Sequence, residues 1–156
     1  MKLTKALTIG LLSSSGAMAA TSGTLLLQGT VAANYAITVT PDGTNNSTLD
    51  ILNGETNKSV ANVLEVSNNP GGYKIQASSL NSGLLKNGSV DQVSYQIKYG
   101  SGSALSLTAS AQTVYTSPTL TSSASNTQNV KVTFAGKPAA LAGTYSDTVT
   151  FTISAP

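Results

Sequence analysis

The sequence predicts an all-β sandwich or barrel, with one alternating stretch too long to be an ordinary strand of it. Three observations lead there. Short apolar/polar alternations are separated by Gly, Asn, Pro and Ser clusters along the whole mature chain, the pattern of a sandwich or barrel. No stretch carries a convincing helical period, and Gly83 interrupts the one candidate turn, Leu80 to Lys86. The alternation from Leu25 to Val39 is also far too long for an ordinary strand.

The chain opens with an export leader. Lys2 and Lys5 form a positive region, residues 7–12 (LTIGLL) a short apolar one, and Ala17-Met18-Ala19 a small-x-small cleavage site. This predicts a signal peptide over residues 1–19 and export of the mature chain. Two of the eight basic residues leave with it, so six Lys face six acids and the mature chain is neutral. Without a basic excess nothing points to nucleic acid. With so little charge, copies of the chain do not repel one another. There is no Cys, so disulfides cannot offset a small core.

From Leu25 the odd positions read Leu25, Leu27, Gly29, Val31, Ala33, Tyr35, Ile37, Val39, and the even ones are mostly small or polar. At about 3.3 Å per residue a strand this long runs roughly 50 Å, beyond the roughly 35–40 Å width of a domain of this size. Either it bends near Ala32-Ala33-Asn34, or residues before the bend leave the domain and pair elsewhere by strand addition. The division follows: residues 20–33 as an N-terminal extension and 34–156 as the sandwich domain.

Further strands follow in order. Val60 to Ser67 and Tyr73 to Ser79 flank a turn at Asn68 to Gly72 (NNPGG). Val93, Tyr95, Ile97 and Tyr99 alternate with polar residues, and Gly100 to Ser103 turns the chain. Leu105 and Leu107 begin another strand, Gln112 to Thr116 forms the next, and Val130, Val132 and Phe134 mark one more. Ser117 to Asn129 is expected to be a long loop. Tyr145 to Ser154 is the cleanest strand, with Tyr145, Val149, Phe151 and Ile153 on one face. Asp147 falls on that same parity and is expected near the strand's start, reaching solvent.

The residues for catalysis are missing. With no His and no Cys there is no usual general base, no thiol nucleophile and no soft metal ligand. The six acids are scattered, and no Ser lies in a G-x-S-x-G elbow. Asp42-Gly43-Thr44-Asn45-Asn46 with Asp50 offers calcium-type oxygens, but lacks the EF-hand spacing and reads as turn chemistry. The N-x-[ST] triplets at Asn45, Asn46, Asn57 and Asn87 read as polar loops. No enzyme, cofactor or metal is expected.

Gln28-Gly29-Thr30-Val31 followed by Tyr35-Ala36-Ile37 resembles the N-terminal extension of chaperone–usher pilus subunits, an alternating arm with a glycine at one inward position. Ala142 to Ile153 resembles the final strand of fimbrial subunits and of secreted spore-coat-U-type domains, and Asn68 to Ser79 is similar to the middle of the latter. The resemblance covers both ends and one hairpin, under half the chain. Gly72-Tyr73-Lys74-Ile75 and Phe151-Thr152-Ile153 also look like a Trp-x-Leu cell-wall-binding domain, but the chain has no Trp. The missing disulfide and the Ala155-Pro156 end point to a cysteine-free alternate or archaic subclass.

The resemblance implies an immunoglobulin-like antiparallel β-sandwich that lacks one strand and is completed by a donor strand from a neighbouring subunit. It implies a pilus subunit exported through the periplasm to the cell surface, polymerising with identical or related subunits, delivered by a periplasmic chaperone and an outer-membrane usher, and serving adhesion or biofilm formation. It implies that Leu25, Leu27, Gly29, Val31 and Ala33 form the donor strand, and that Tyr145, Val149, Phe151 and Ile153 line the acceptor groove or core. The alternative is a monomeric secreted β-sandwich that binds carbohydrate or cell wall.

Overall fold

The computed structural model describes residues 21–156. The expected signal peptide lies outside these residues. The chain divides into two units at Val31/Ala32. In the first, residues 21–31 belong to no strand, and Leu25, Leu27 and Val31 are each more than four-fifths exposed.

The second unit is all-β. Its strands are β1 (Tyr35–Pro41), β2 (Gly54–Ser67), β3 (Lys74–Ser79), β4 (Leu84–Asn87), β5 (Asp91–Ser94), β6 (Gln96–Tyr99), β7 (Ala104–Leu105), β8 (Gln112–Thr116), β9 (Ala124–Ala135) and β10 (Val149–Ser154). One sheet has the order β1-β2-β9-β6-β7, a second β10-β3-β8, and β4 and β5 form a separate hairpin. All pairings are antiparallel.

The two larger sheets share one interior, as in a β-sandwich. Val63, Tyr99 and Val130 from the first sheet meet Ile75 from the second, with Phe151 and Ile153 packed against them. A second cluster joins Ala77, Leu85, Val93, Tyr95, Ile97, Val132 and Phe134. These are the inward parities of the alternating runs, so burial follows the two-residue period.

The strand expected to begin near Leu25 begins instead at Tyr35. The reason lies in its partner. Tyr35 pairs with Ser67, and beyond Asn68 the chain turns through Pro70 and Gly71. β2 therefore has no further main chain to offer the residues before Asn34.

Other differences have similar causes. Ser117 to Asn129 is not all loop, because β9 starts at Ala124 and pairs with β2 down to Ser67. Its polar Ser-Asn-Thr-Gln run carries no hydrophobic period, so the ladder alone makes it a strand. The alternation Val93 to Tyr99 is two strands. The Tyr95 N–H donates to the Gly83 carbonyl at 3.0 Å, finishing the β4–β5 ladder, and β6 then joins β9. Gly136 crosses Asn53 so closely that a Cβ would lie 2.4 Å from its carbonyl carbon, which only glycine tolerates.

Asp147 does not simply face solvent. It is half-buried, and its carboxylate accepts hydrogen bonds from Tyr95 Oη at 2.6 Å, the Asn81 N–H at 2.9 Å and Ser79 Oγ. The apolar parity it shares is real, and polar neighbours on β3 and β5–β6 satisfy it there.

Candidate functional site: a groove between two free strand edges

β1 ends one sheet and β10 ends the other, and the two strands are neighbours. Main-chain bonds settle which way their peptide groups point. The Leu80 N–H donates to the Thr148 carbonyl at 2.9 Å, and the register pairs Val149 with Ser79. In an antiparallel ladder, bonded and non-bonded pairs alternate. Thr150 and Thr152 therefore bond to β3, while the N–H and C=O of Val149, Phe151 and Ile153 point away from it.

The same reasoning applies to β1. The Asn68 N–H donates to the Asn34 carbonyl and the Asp42 N–H to the Val60 carbonyl at 2.9 Å, so the even positions bond to β2. Tyr35, Ile37, Val39 and Pro41 turn their main chain to the free edge. Pro41 has no N–H, which suits a position with no partner.

Between these edges lies a groove of about 360 Å³. Val39 and Pro41 form one rim, and Val149 and Phe151 the other. Leu85, Tyr95, Ile97, Val130 and Val132 make the floor, which is the sandwich core itself. Val149, Phe151 and Ile153 are only half-buried, and Val39 is 41% exposed. Apolar side chains that line an opening down to a core leave surface whose burial would be favourable.

Of the residues singled out in the sequence, Val149 and Phe151 line this groove, as does Tyr145 at one end, and Ile153 packs in the adjoining cluster. The Tyr145 hydroxyl donates to Asp91, which also pairs with Lys137. The Lys137 ammonium is the main cause holding the Asp91 carboxyl well below the usual range. Leu25, Leu27, Gly29 and Val31 lie outside this unit, and Ala33 lies two residues before β1.

The loop leading to β2 has its oxygens engaged in turns. Asp42 Oδ1 accepts from the Asn45 N–H at 2.9 Å, and Asp50 Oδ1 from the Asn53 N–H at 3.0 Å. Among the described residues no cluster of three His, Cys, Asp or Glu side chains forms a metal site.

Sequence reasoning missed the β1 rim and a buried polar centre. Glu65 is fully buried on β2. It accepts from Tyr73 Oη at 2.7 Å and from Tyr99 Oη, while Asn126 Nδ2 donates to Tyr73 Oη at 3.2 Å. The signal was an acid on the parity of Val63 and Ser67. Burial, the main cause, pushes the Tyr73 phenol up to about 12, and the Tyr95 and Tyr99 phenols are raised for the same first reason.

No protein-family model, curated protein or solved structure matches the chain.

Proposed function

We propose that this chain is the structural subunit of an extracellular fimbria, an incomplete immunoglobulin-like sandwich whose groove is filled by the N-terminal arm of the next subunit. The observation that carries the reading is the groove between β1 and β10. Two strand edges with unsatisfied main-chain groups face each other across apolar pockets. β1 and β10 come within 8 Å of each other, closer than the roughly 9.6 Å between strands that flank a third, so an inserted strand would part them, hydrogen-bond to both edges and bury its alternate side chains below. An unpaired edge is otherwise a liability that folds cover or blunt.

The arm has the matching chemistry. Leu25, Leu27 and Val31 are exposed, and burying each contributes about 1.5–3 kcal/mol. Gly29 shares their parity. Its φ is not in the left-handed region and a Cβ there would meet nothing within 4 Å, so nothing in the subunit itself requires glycine. A shallow groove floor in the acceptor would.

Export by the leader, capture by a periplasmic chaperone that holds the groove until assembly, passage through an usher, and a role in adhesion or biofilm formation belong to the same reading. The test is electrophoretic. Exported full-length protein, run in SDS without boiling, should form a ladder that collapses to one band on full denaturation. A single band before boiling, from a protein that is folded and monomeric in solution, would overturn the reading and favour the secreted binding domain.

A further inference from the structure

Resting on that reading, we infer that the side chain of Asn68 commits the arm to another molecule, by holding the chain at Ala32 to Asn34 in line with β1 so that it cannot turn back into its own groove. Two routes are open in principle to an arm that immediately precedes β1. It can run on and reach a second copy. It can also reverse at residues 32–34, lie antiparallel along the free edge of β1, and fill the groove of its own domain as a hairpin. Only the first makes a polymer.

The geometry closes the second route at Asn68. The Asn34 N–H donates to Asn68 Oδ1 at 2.6 Å, and Asn68 Nδ2 donates to the Ala32 carbonyl at 2.9 Å. These bonds continue the β1–β2 ladder one step past its last main-chain pair. In that register Ala32 would face residue 70, but Pro70 has no N–H and its carbonyl already accepts from the Leu120 N–H at 2.9 Å. The Asn68 amide, with one acceptor and two donors, takes the Asn34 N–H in place of the Asn68 carbonyl and gives the Ala32 carbonyl the N–H that Pro70 lacks. The ladder is thus extended by a side chain where the main chain turns away.

The local sequence agrees. Two-residue hairpin turns need positive φ at one or both central residues, and so favour Asn-Gly or Gly-containing pairs. Ala32-Ala33 occupies the place where the reversal would fall, and alanine adopts that conformation at a cost. Neither residue has a positive φ. The side-chain bonds and the absence of turn residues are independent observations with the same consequence.

The experiment uses the exported full-length chain in three forms: unaltered, Asn68→Ala, and Asn68→Ala combined with Ala32→Asn and Ala33→Gly. The readouts are the ratio of monomer to SDS-stable oligomer, and protease resistance of the arm within the monomer. Loss of two hydrogen bonds should raise the monomer ratio about five- to thirty-fold in Asn68→Ala. The triple variant should be largely monomeric, with the arm protected because it sits in its own groove. Should loss of Asn68 leave the chain unfolded, Ala32→Asn with Ala33→Gly alone supplies the turn, and should raise the protected monomer by a smaller factor.

If the unaltered chain forms no oligomer, the fimbrial reading fails. If the unaltered chain polymerises and the variants polymerise equally, or give only monomers whose arm is cut freely, that reading stands and the role assigned to Asn68 is wrong.

Discussion

The arm and β10 carry the same pattern and meet different fates. Leu25, Leu27, Gly29 and Val31 alternate with Leu26, Gln28 and Thr30, much as Val149, Phe151 and Ile153 alternate with threonines. Yet β10 pairs with β3 over six residues, whereas residues 21–31 are in no strand and are exposed. Alternation fixes which side chains share a face. It does not supply the neighbouring main chain that makes a strand, because each exposed peptide group needs a partner. β10 has a partner on one edge and lacks one on the other. The arm lacks both.

Removing the arm breaks the comparison most completely. Deleting residues 20–33 should leave a subunit that a chaperone still captures and that accepts an arm, but that never donates one, so fibre growth stops at each such molecule. Fibres of normal length from the deleted chain would show that another segment is the donor. Gly29→Leu should come next. Forcing a side chain against the floor of a packed groove costs about 1–3 kcal/mol per joint, and polymer yield should fall while the unfolding of the subunit itself is unchanged. Leu27→Asn should weaken assembly to a similar degree by losing about 1.5–3 kcal/mol of burial. Gln28→Asn, on the outward parity, should leave yield unaltered.

The buried centre separates assembly from folding. Glu65→Ala leaves the Tyr73 and Tyr99 hydroxyls without their acceptor, and an orphaned buried polar group costs about 1–3 kcal/mol. A loss of about 2–4 kcal/mol in denaturant unfolding is therefore expected, with assembly reduced only as far as folding is. Glu65→Gln keeps an acceptor and should cost less.

The effects of pH are the smallest and have opposite origins at the two ends. The Tyr73 phenol is raised to about 12 by burial. An unfolded chain gives up its phenolic protons near pH 10, before the folded one does. Stability is therefore full below about pH 10 and falls as pH rises from there toward 12. At the acid end Asp91 is held low chiefly by Lys137, Glu55 by Lys58, and Asp50 by Asn53. Their contribution is present above the ordinary carboxylate range, about pH 4, and is lost as pH falls below it. Thermal unfolding across pH 2–12 reads both limbs.

The sequence and the structure agree where side chains decide, and part where main chain does. The inward faces of Val60–Ser67, Tyr73–Ser79 and Val149–Ser154 follow from burial, which leaves its mark in the two-residue period. The start of β9 at Ala124 and the start of β1 at Tyr35 do not. Both depend on how far β2 reaches, a property of a partner distant in the chain. The β10 half of the groove was legible for the first reason. The Val39–Pro41 rim was hidden because its residues read as the tail of the arm's alternation. Asn68 was legible only as a turn residue, since its second role depends on Pro70 standing across from Ala32.

Amide hydrogen exchange at the two groove edges tests the central claim most directly. In the arm-deleted subunit the N–H groups of Phe151, Ile153, Ile37 and Val39 should exchange quickly, while those of Thr150 and Thr152, bonded to β3, should be slow. In assembled fibres the first set should become as protected as the second, because an inserted strand now accepts from them. If Phe151, Ile153, Ile37 and Val39 exchange as fast in fibres as in the free subunit, no strand enters between β1 and β10, and the account is wrong.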